Sequence, residues 1–479
     1  MTDGMDRREF VRLAAVGGAL GLAGSGLPAM GSPSPKAKLI SPGCRRSKVK
    51  IARLYVGVPK AHYPNPDLDL QKELKVYERA FAGMKNELAD VEFVADELVS
   101  SADQVKALTA KMQNADGILA IHVTLATMPI LQQILSLGLP TMIFSAPYSG
   151  HEWHVLTAVR KQKLGENMVC LLTSDHKQLA AAIRPFRAIH HLREAKILNV
   201  AARQSAEYAN AMKEKFGTEI KLVELQRVLA AYNAVDDREA RAEAARWIRG
   251  AKKVVEPSRE EIVKSCKLAL ALENLLDEED ATLMTVDCYG SMWNPLCRAY
   301  AYPCIGFTRL NDMGLGGICQ SDLPSAMTHI LFQGLSGRPG FVCNPTFDFS
   351  ANSAILIHCL GTRKMDGPDG PAAPYWLRSV MERQEGAVPQ VRMRIGQKVT
   401  QATFSGPATL AYFTGVITDT PETERGCRTK IAVKVDGDAE TLWKNWSGEI
   451  HRVACYGNLT REMEHFCTFK QIKMVNEAV

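Results

Sequence analysis

Between Asp287 and Cys359 the chain gathers most of the residue types that carry chemistry. In order these are Val286-Asp287-Cys288, Tyr302-Pro303-Cys304, Leu310-Asn311-Asp312, Gly317-Ile318-Cys319-Gln320-Ser321-Asp322, Phe341-Val342-Cys343-Asn344 and Ile357-His358-Cys359. A second patterned run, His451-Arg452-Val453-Ala454-Cys455-Tyr456-Gly457, lies near the C-terminus. Amides, carboxylates and imidazoles at this density suit a polar ligand, and the imidazoles and carboxylates can move protons. Structural roles compete for several of them. Asp322 opens an expected helix, where an aspartate caps the first turn and faces the helix dipole. Asn311-Asp312, just before Gly314, can shape a turn. His358, at the end of an apolar run, is either a hydrogen-bonded structural histidine or a site residue. The loop Gly314-Leu315-Gly316-Gly317 lacks a Lys-Ser/Thr and a preceding strand, which discounts a phosphate cradle. His190-His191 is expected at an exposed loop or helix end, without metal-ligand spacing. Trp443 and Trp446 suit either a sugar face or a core.

The order and gaps of these motifs resemble the metal-dependent L-fucose/L-arabinose isomerases and their relatives. That family's pattern is a PC pair, LND, CEGD or CESD at a helix start, a helix ending LTGKP, a strand ending in Asp, HC, and a closing H-x5-G. The match covers about 75 residues here, and His451 to Gly457 fits the closing stretch. The resemblance implies aldose–ketose isomerisation through an ene-diol on a small sugar. It also implies manganese or another divalent metal held by a Glu, an Asp and a His, and a homo-oligomer, a trimer or a hexamer. Carried over by position, the metal ligands fall on Gln320, Asn344 and His451, and the catalytic carboxylates on Gln320 and Asn344. Asn311, Asp312 and His358 fall on the substrate side. Both carboxylates have thus become amides, which supply no charge and cannot act as bases, so divalent binding is weakened. Asp348, four residues past Asn344, is the candidate replacement for the missing acid. The alternative expectation is a carbohydrate-binding homologue that does not isomerise.

Elements that would position these residues alternate along the chain. Apolar runs at 49–58, 91–94, 117–123 and 140–145, separated by helical spacing at 68–88 and 102–112, give a βαβα series. The series resumes with strands at 196–201, 221–225 and 282–287 and helices at 206–216, 237–249, 260–276 and 322–335. Continuous apolar strands of this kind belong to parallel sheets covered by helices. Beyond Gly337, runs at 340–343, 354–358, 391–395, 410–418 and 430–435 alternate with Gly, Pro and Asp turns, and a short helix at 460–469 closes the chain. The expected fold is α/β: two parallel-sheet, Rossmann-like domains at 49–172 and 173–336, then an antiparallel, barrel-like β-rich domain at 337–479.

At the N-terminus, Asp6-Arg7-Arg8-Glu9-Phe10-Val11-Arg12 precedes an uncharged Gly/Ala/Leu stretch and the small-residue exit Ala29-Met30-Gly31. This predicts a twin-arginine signal over 1–31 and a linker over 32–48, hence export to the periplasm or cell envelope. The apolar stretch is short and weakly hydrophobic, and no later run reaches about 18 apolar residues, so no membrane span is expected after cleavage. A net charge of +6, with 46% hydrophobic and 23% charged residues, is ordinary for a globular chain. Without basic blocks interleaved with aromatics, nucleic acid is an unexpected partner. The twelve cysteines mostly sit in apolar runs, as buried thiols do, with one or two bridges allowed. None forms a CxxC pair, so a zinc knuckle or thioredoxin-type site has no local support.

Overall fold

The computed structural model describes residues 47–150, 153–448 and 450–479. The expected signal and nearly all of the linker therefore lie outside the described residues. The chain is mixed α/β, built on two parallel sheets and one larger mixed sheet.

The first sheet contains β1 (Val49–Val56), β2 (Val91–Val99), β3 (Gly117–His122), β4 (Thr141–Ser145) and β5 (Met168–Leu172). They run parallel in the order β2-β1-β3-β4-β5. Helices α1 (Leu70–Gly83), α2 (Ala102–Met112), α3 (Met128–Leu135) and α4 (Trp153–Val159) alternate with them. β3 and β4 are buried along their whole length, which is why they read as unbroken apolar runs. Asp69 and Ser101 cap α1 and α2 with side-chain oxygens.

Helix α5 (Gln178–Glu194) leads to the second sheet. That sheet holds β6 (Lys196–Val200), β7 (Glu219–Val223), β8 (Leu283–Val286) and β9 (Gly316–Cys319), parallel in the order β7-β6-β8-β9. Around it lie α6 (Ala206–Phe216), α7 (Leu225–Ala234), α8 (Asp237–Gly250), α9 (Arg259–Glu278), α10 (Cys304–Asp312) and α11 (Leu323–Ser336). α6 runs from a Ser205 cap to Gly217, whose φ of 86° ends it. α9 opens with a capping box between Ser258 and Glu261. α5 and α11 touch backbone to backbone: a Cβ on Gly334 would lie 2.4 Å from Ala188 Cα. His190 and His191 are buried inside α5, contrary to the exposed position expected, and His190 Nδ1 lies 2.9 Å from Asp116 Oδ2.

The third sheet takes β10 (Phe341–Asp348), β11 (Ser353–His358), β14 (Lys398–Ser405), β15 (Thr409–Asp419), β16 (Thr429–Val435), β17 (Arg452–Tyr456) and β18 (Lys473–Asn476). β12 (Tyr375–Val380) and β13 (Glu385–Val391) form a separate antiparallel pair. The order is β14-β17-β10-β11-β16-β15-β18, and β14 also pairs with β15, so the hydrogen bonding returns to the strand it began on. α12 (Ala439–Asn445) and α13 (Thr460–Lys470) complete the chain. The expected strand at 391–395 is absent, because β13 ends at Val391. Among the described residues no helix is long and apolar enough to cross a membrane. All eleven described cysteines are thiols and nine are buried.

Candidate functional site

The second sheet ends on the residues that the sequence singles out. Its strand order reverses between β6 and β8, and in open parallel sheets ligands collect beyond the carboxyl ends of the strands at such a point. β9 stops at Cys319, and Gln320-Ser321 turn into α11 with φ values of 59° and 56°. Left-handed backbone at two consecutive non-glycine residues costs roughly 1–2 kcal/mol each and must be held by its surroundings. The holds are visible. The Ser321 amide donates to Val286 O at 3.2 Å, Asp322 N donates to Cys319 O at 3.2 Å, and Ser321 Oγ donates to Asn199 Oδ1.

Asp322 carries two tasks. Its Oδ1 accepts from Ser325 N at 2.8 Å, which is the expected helix cap. Its Oδ2 lies 3.0 Å from Nδ1 of His451, which immediately precedes β17. A carboxylate accepts from a protonated nitrogen, so Nδ1 carries the hydrogen and Nε2 presents a lone pair. His451 is 1% exposed and its Nε2 has no hydrogen-bond partner.

His358 ends β11, and its ring centroid lies 5.3 Å from that of His451. Here the tautomer is reversed. Cys359 N donates to His358 Nδ1 at 2.8 Å, so Nδ1 is the acceptor and the neutral ring keeps its proton on Nε2. Burial, and after it the nearby His451, hold the His358 pKa well below the usual histidine range. Its Nε2 is buried and also lacks a partner. The pair therefore offers one imidazole acceptor and one imidazole donor, each unspent.

Asn344 belongs to the same neighbourhood. It pairs with Ile357, one residue before His358, and Cys343 pairs with Arg452, one residue after His451. Asn344 and Gln320 are partly exposed, whereas the two histidines are buried. Asp322, His358 and His451 are thus brought together from the cap of α11, the end of β11 and the start of β17, with Gln320 close by in sequence and Asn344 close by in strand register.

Other expected site residues serve the scaffold. Asn311 Oδ1 accepts from Gly317 N at 2.7 Å, and its Nδ2 donates to Gly317 O and Thr362 Oγ1. Asp312 accepts from the Arg363 and Lys364 amides and from Arg363 Nε at 2.6 Å. Both residues are buried, Asn311 spending its polar atoms on Gly317 of β9 and on Thr362 and Asp312 on the loop after β11, which corrects the expectation that they contact substrate. Asp348 is corrected as well. It is exposed at the far end of β10, where it accepts from Ser350 Oγ at 2.6 Å and from Ala351 N. Local hydrogen bonds lower its pKa, as suits a turn cap rather than a base. Trp446 packs edge-on to Phe347 and covers the Arg452 guanidinium at 3.6 Å, so it belongs to the packing around the buried Arg452–Glu477 pair.

The donor set does not fit manganese. Hard divalent cations take anionic oxygens, whereas Gln320 and Asn344 are neutral and the Asp322 carboxylate is engaged by His451 and the helix cap. No protein-family model and no curated protein matches this chain. The functional reading accordingly rests on the geometry.

Two features escaped the sequence reading. Asp322 was visible as a cap but not as the partner of His451, because only the fold joins them. The opposed tautomers of His358 and His451 depend on one backbone amide and one carboxylate, and leave no trace in residue spacing.

Proposed function

We propose that this chain is a sugar isomerase-like protein that interconverts an aldose and a ketose by proton transfer between two imidazoles, without a metal-bound step. The supporting observation is the complementary pair: Nε2 of His451 as an acceptor oriented by Asp322, and Nε2–H of His358 as a donor held neutral. In the forward direction His451 Nε2 takes the proton from C2 of the aldose, while His358 gives its Nε2 proton to the carbonyl oxygen on C1. The product is an ene-diol. Protonated His451 then delivers its hydrogen to C1, and the hydroxyl on C2 returns a proton to His358 Nε2, leaving the ketose and both imidazoles as they began. A neutral histidine acting as electrophile is established chemistry for such a step. Each positioned acid or base supplies about 10²–10⁴ in rate. Gln320 and Asn344, in this account, hydrogen-bond the sugar hydroxyls where charged ligands once bound a metal.

The fold-level reading accompanies it. The three-part division at 172/173 and 336/337, and a barrel formed by the ring of pairings from β14 to β15, are part of the proposal. Export by a twin-arginine signal and assembly as a trimer or hexamer also remain within it. A second reading, carbohydrate binding without turnover, is favoured by the loss of both carboxylates at Gln320 and Asn344.

The two readings separate in one assay. Chelator-treated protein is incubated with a panel of aldopentoses and aldohexoses, and ketose formation is followed beside His451→Gln and His358→Gln. The proposal expects ketose from at least one sugar and a loss of about 10²-fold or more in each variant. Sugar binding with no ketose from any of them supports the binding reading and sinks this one.

A further inference from the structure

A second cluster of side chains, outside the imidazole pair, has the chemistry of a metal site. Cys359 follows β11, Glu382 lies in the turn between β12 and β13, and Cys427 precedes β16. Their ligand atoms all fall within 4.8 Å of one another. Cys359 Sγ and Cys427 Sγ are 3.5 Å apart, Cys427 Sγ is 3.2 Å from Glu382 Oε1, and Cys359 Sγ is 3.8 Å from Glu382 Oε2. A tetrahedral zinc ion, with bonds of about 2.3 Å to sulfur and about 2.0 Å to oxygen, sets its ligands roughly 3.8 Å (S–S) and roughly 3.5 Å (S–O) apart. The Cys359–Cys427 spacing and the Cys427–Oε1 spacing fall a few tenths of an ångström inside those values, while Cys359 approaches the other oxygen of the same carboxylate.

The surroundings support this arrangement. Tyr289 Oη donates to Glu382 Oε2 at 3.2 Å, the kind of outer contact that orients a ligating carboxylate. Three further thiols, Cys288, Cys304 and Cys319, crowd behind, with Cys288 Sγ and Cys319 Sγ 3.0 Å apart. Access is open on one side, since Cys359 is buried while Cys427 is half-buried and Glu382 exposed. That leaves a fourth position facing solvent, as in zinc sites that keep one for water.

We propose that Cys359, Glu382 and Cys427 bind a zinc-class divalent cation in a three-ligand tetrahedral site open at its fourth position. Two thiolates select borderline-soft ions over manganese, magnesium and calcium. On binding, each thiol loses one proton to solvent, two sulfur–metal bonds and one oxygen–metal bond form, and no electrons are transferred. The site uses neither His358 nor His451, so it stands independently of the isomerase reading.

Cobalt(II) is the probe, because thiolate ligation gives it a charge-transfer absorption and tetrahedral geometry gives it intense visible bands. The full chain, reduced, stripped with chelator and dialysed, is titrated with Co²⁺ and then with Zn²⁺. The expected result is both absorptions saturating at a single ion per chain and vanishing when zinc displaces cobalt. Cys427→Ser and Cys359→Ser should abolish the charge-transfer band. Glu382→Gln, on an exposed residue that leaves folding untouched, should weaken binding about tenfold. Cys170→Ser, on β5, should change nothing. The proposal is overturned if wild-type protein shows no thiolate band, if the band survives in Cys427→Ser, or if Cys359 and Cys427 resist alkylation and the chain is lighter by two hydrogens, which marks a disulfide pair instead.

Discussion

At the residue scale the account depends on hydrogens being fixed on particular nitrogens. Asp322 holds Nδ1–H of His451, and the Cys359 amide fills Nδ1 of His358. Replacing Asp322 with Asn lets the amide favour the wrong His451 tautomer, and turnover should fall by about 10²–10⁴ while sugar affinity changes little. The same change leaves an oxygen able to cap α11, so the melting temperature should move far less than in Asp322→Ala, where about 1 kcal/mol of capping is lost. Calorimetry beside steady-state kinetics checks both halves. A complementary variant, Gln320→Glu with Asn344→Asp, introduces two anionic carboxylates and should bind manganese more tightly than wild-type protein, measurable by isothermal titration. In the sequence Gln320 is pinned by Cys319 and Asp322 on either side, whereas the acid position at Asn344 stays open to Asp348. Asp312 was misread because its partners, Arg363 and Lys364, lie about fifty residues downstream and are brought close only by the fold, while Asn311 joins a local partner, Gly317, to the distant Thr362.

At the element scale α11 is the lever. Asp322 caps its N-terminus, and its last turn lies against α5, where a Cβ on Gly334 would sit 2.4 Å from Ala188 Cα. Gly334→Ala should therefore destabilise the fold by about 1–3 kcal/mol through overpacking, against the gain an alanine ordinarily brings to a helix. It should also lower turnover, by moving Asp322 relative to His451. Urea unfolding and kinetics on that one variant test the coupling. Elements with strong local signals were legible: the helix expected at 206–216 is α6, with its Ser205 cap and Gly217 stop. α5 was missed because Pro185 sits inside it, where proline ordinarily breaks a helix. β14 was missed as well: its run Lys398-Val399-Thr400-Gln401 looks half polar, yet Thr400 and Gln401 are fully buried within paired strands.

At the scale of the whole molecule, the parallel sheets were legible because strands buried on both faces are apolar throughout. The long-range pairings β10–β17, β11–β16 and β14–β17 were not, since pairing between strands distant in sequence has no local signature. The folded chain also buries histidines as neutral groups. Burial brings His191 down to about 3, and His329, fixed between Leu315 O and the Gly340 amide, down to about 4. Both values lie below the unfolded 6.5. In that window the unfolded chain binds protons that the folded chain refuses. Stability is thus complete above about pH 6.5 and falls as pH drops, by about 1.4 kcal/mol per pH unit for each such histidine. Urea midpoints at pH 7.5 and 5.5 should show the loss, and His329→Gln should flatten the slope.

The central claim is proton transfer by His451 without a bound metal, and solvent exchange tests it most directly. An aldose that binds is incubated with chelator-treated protein in deuterium oxide, and deuterium at the reacting carbons is read by proton NMR. The account predicts label at C1 of the ketose and at C2 of recovered aldose, with both signals lost in His451→Gln. Exchange that appears only after manganese is added, or that persists unchanged in His451→Gln, would contradict it.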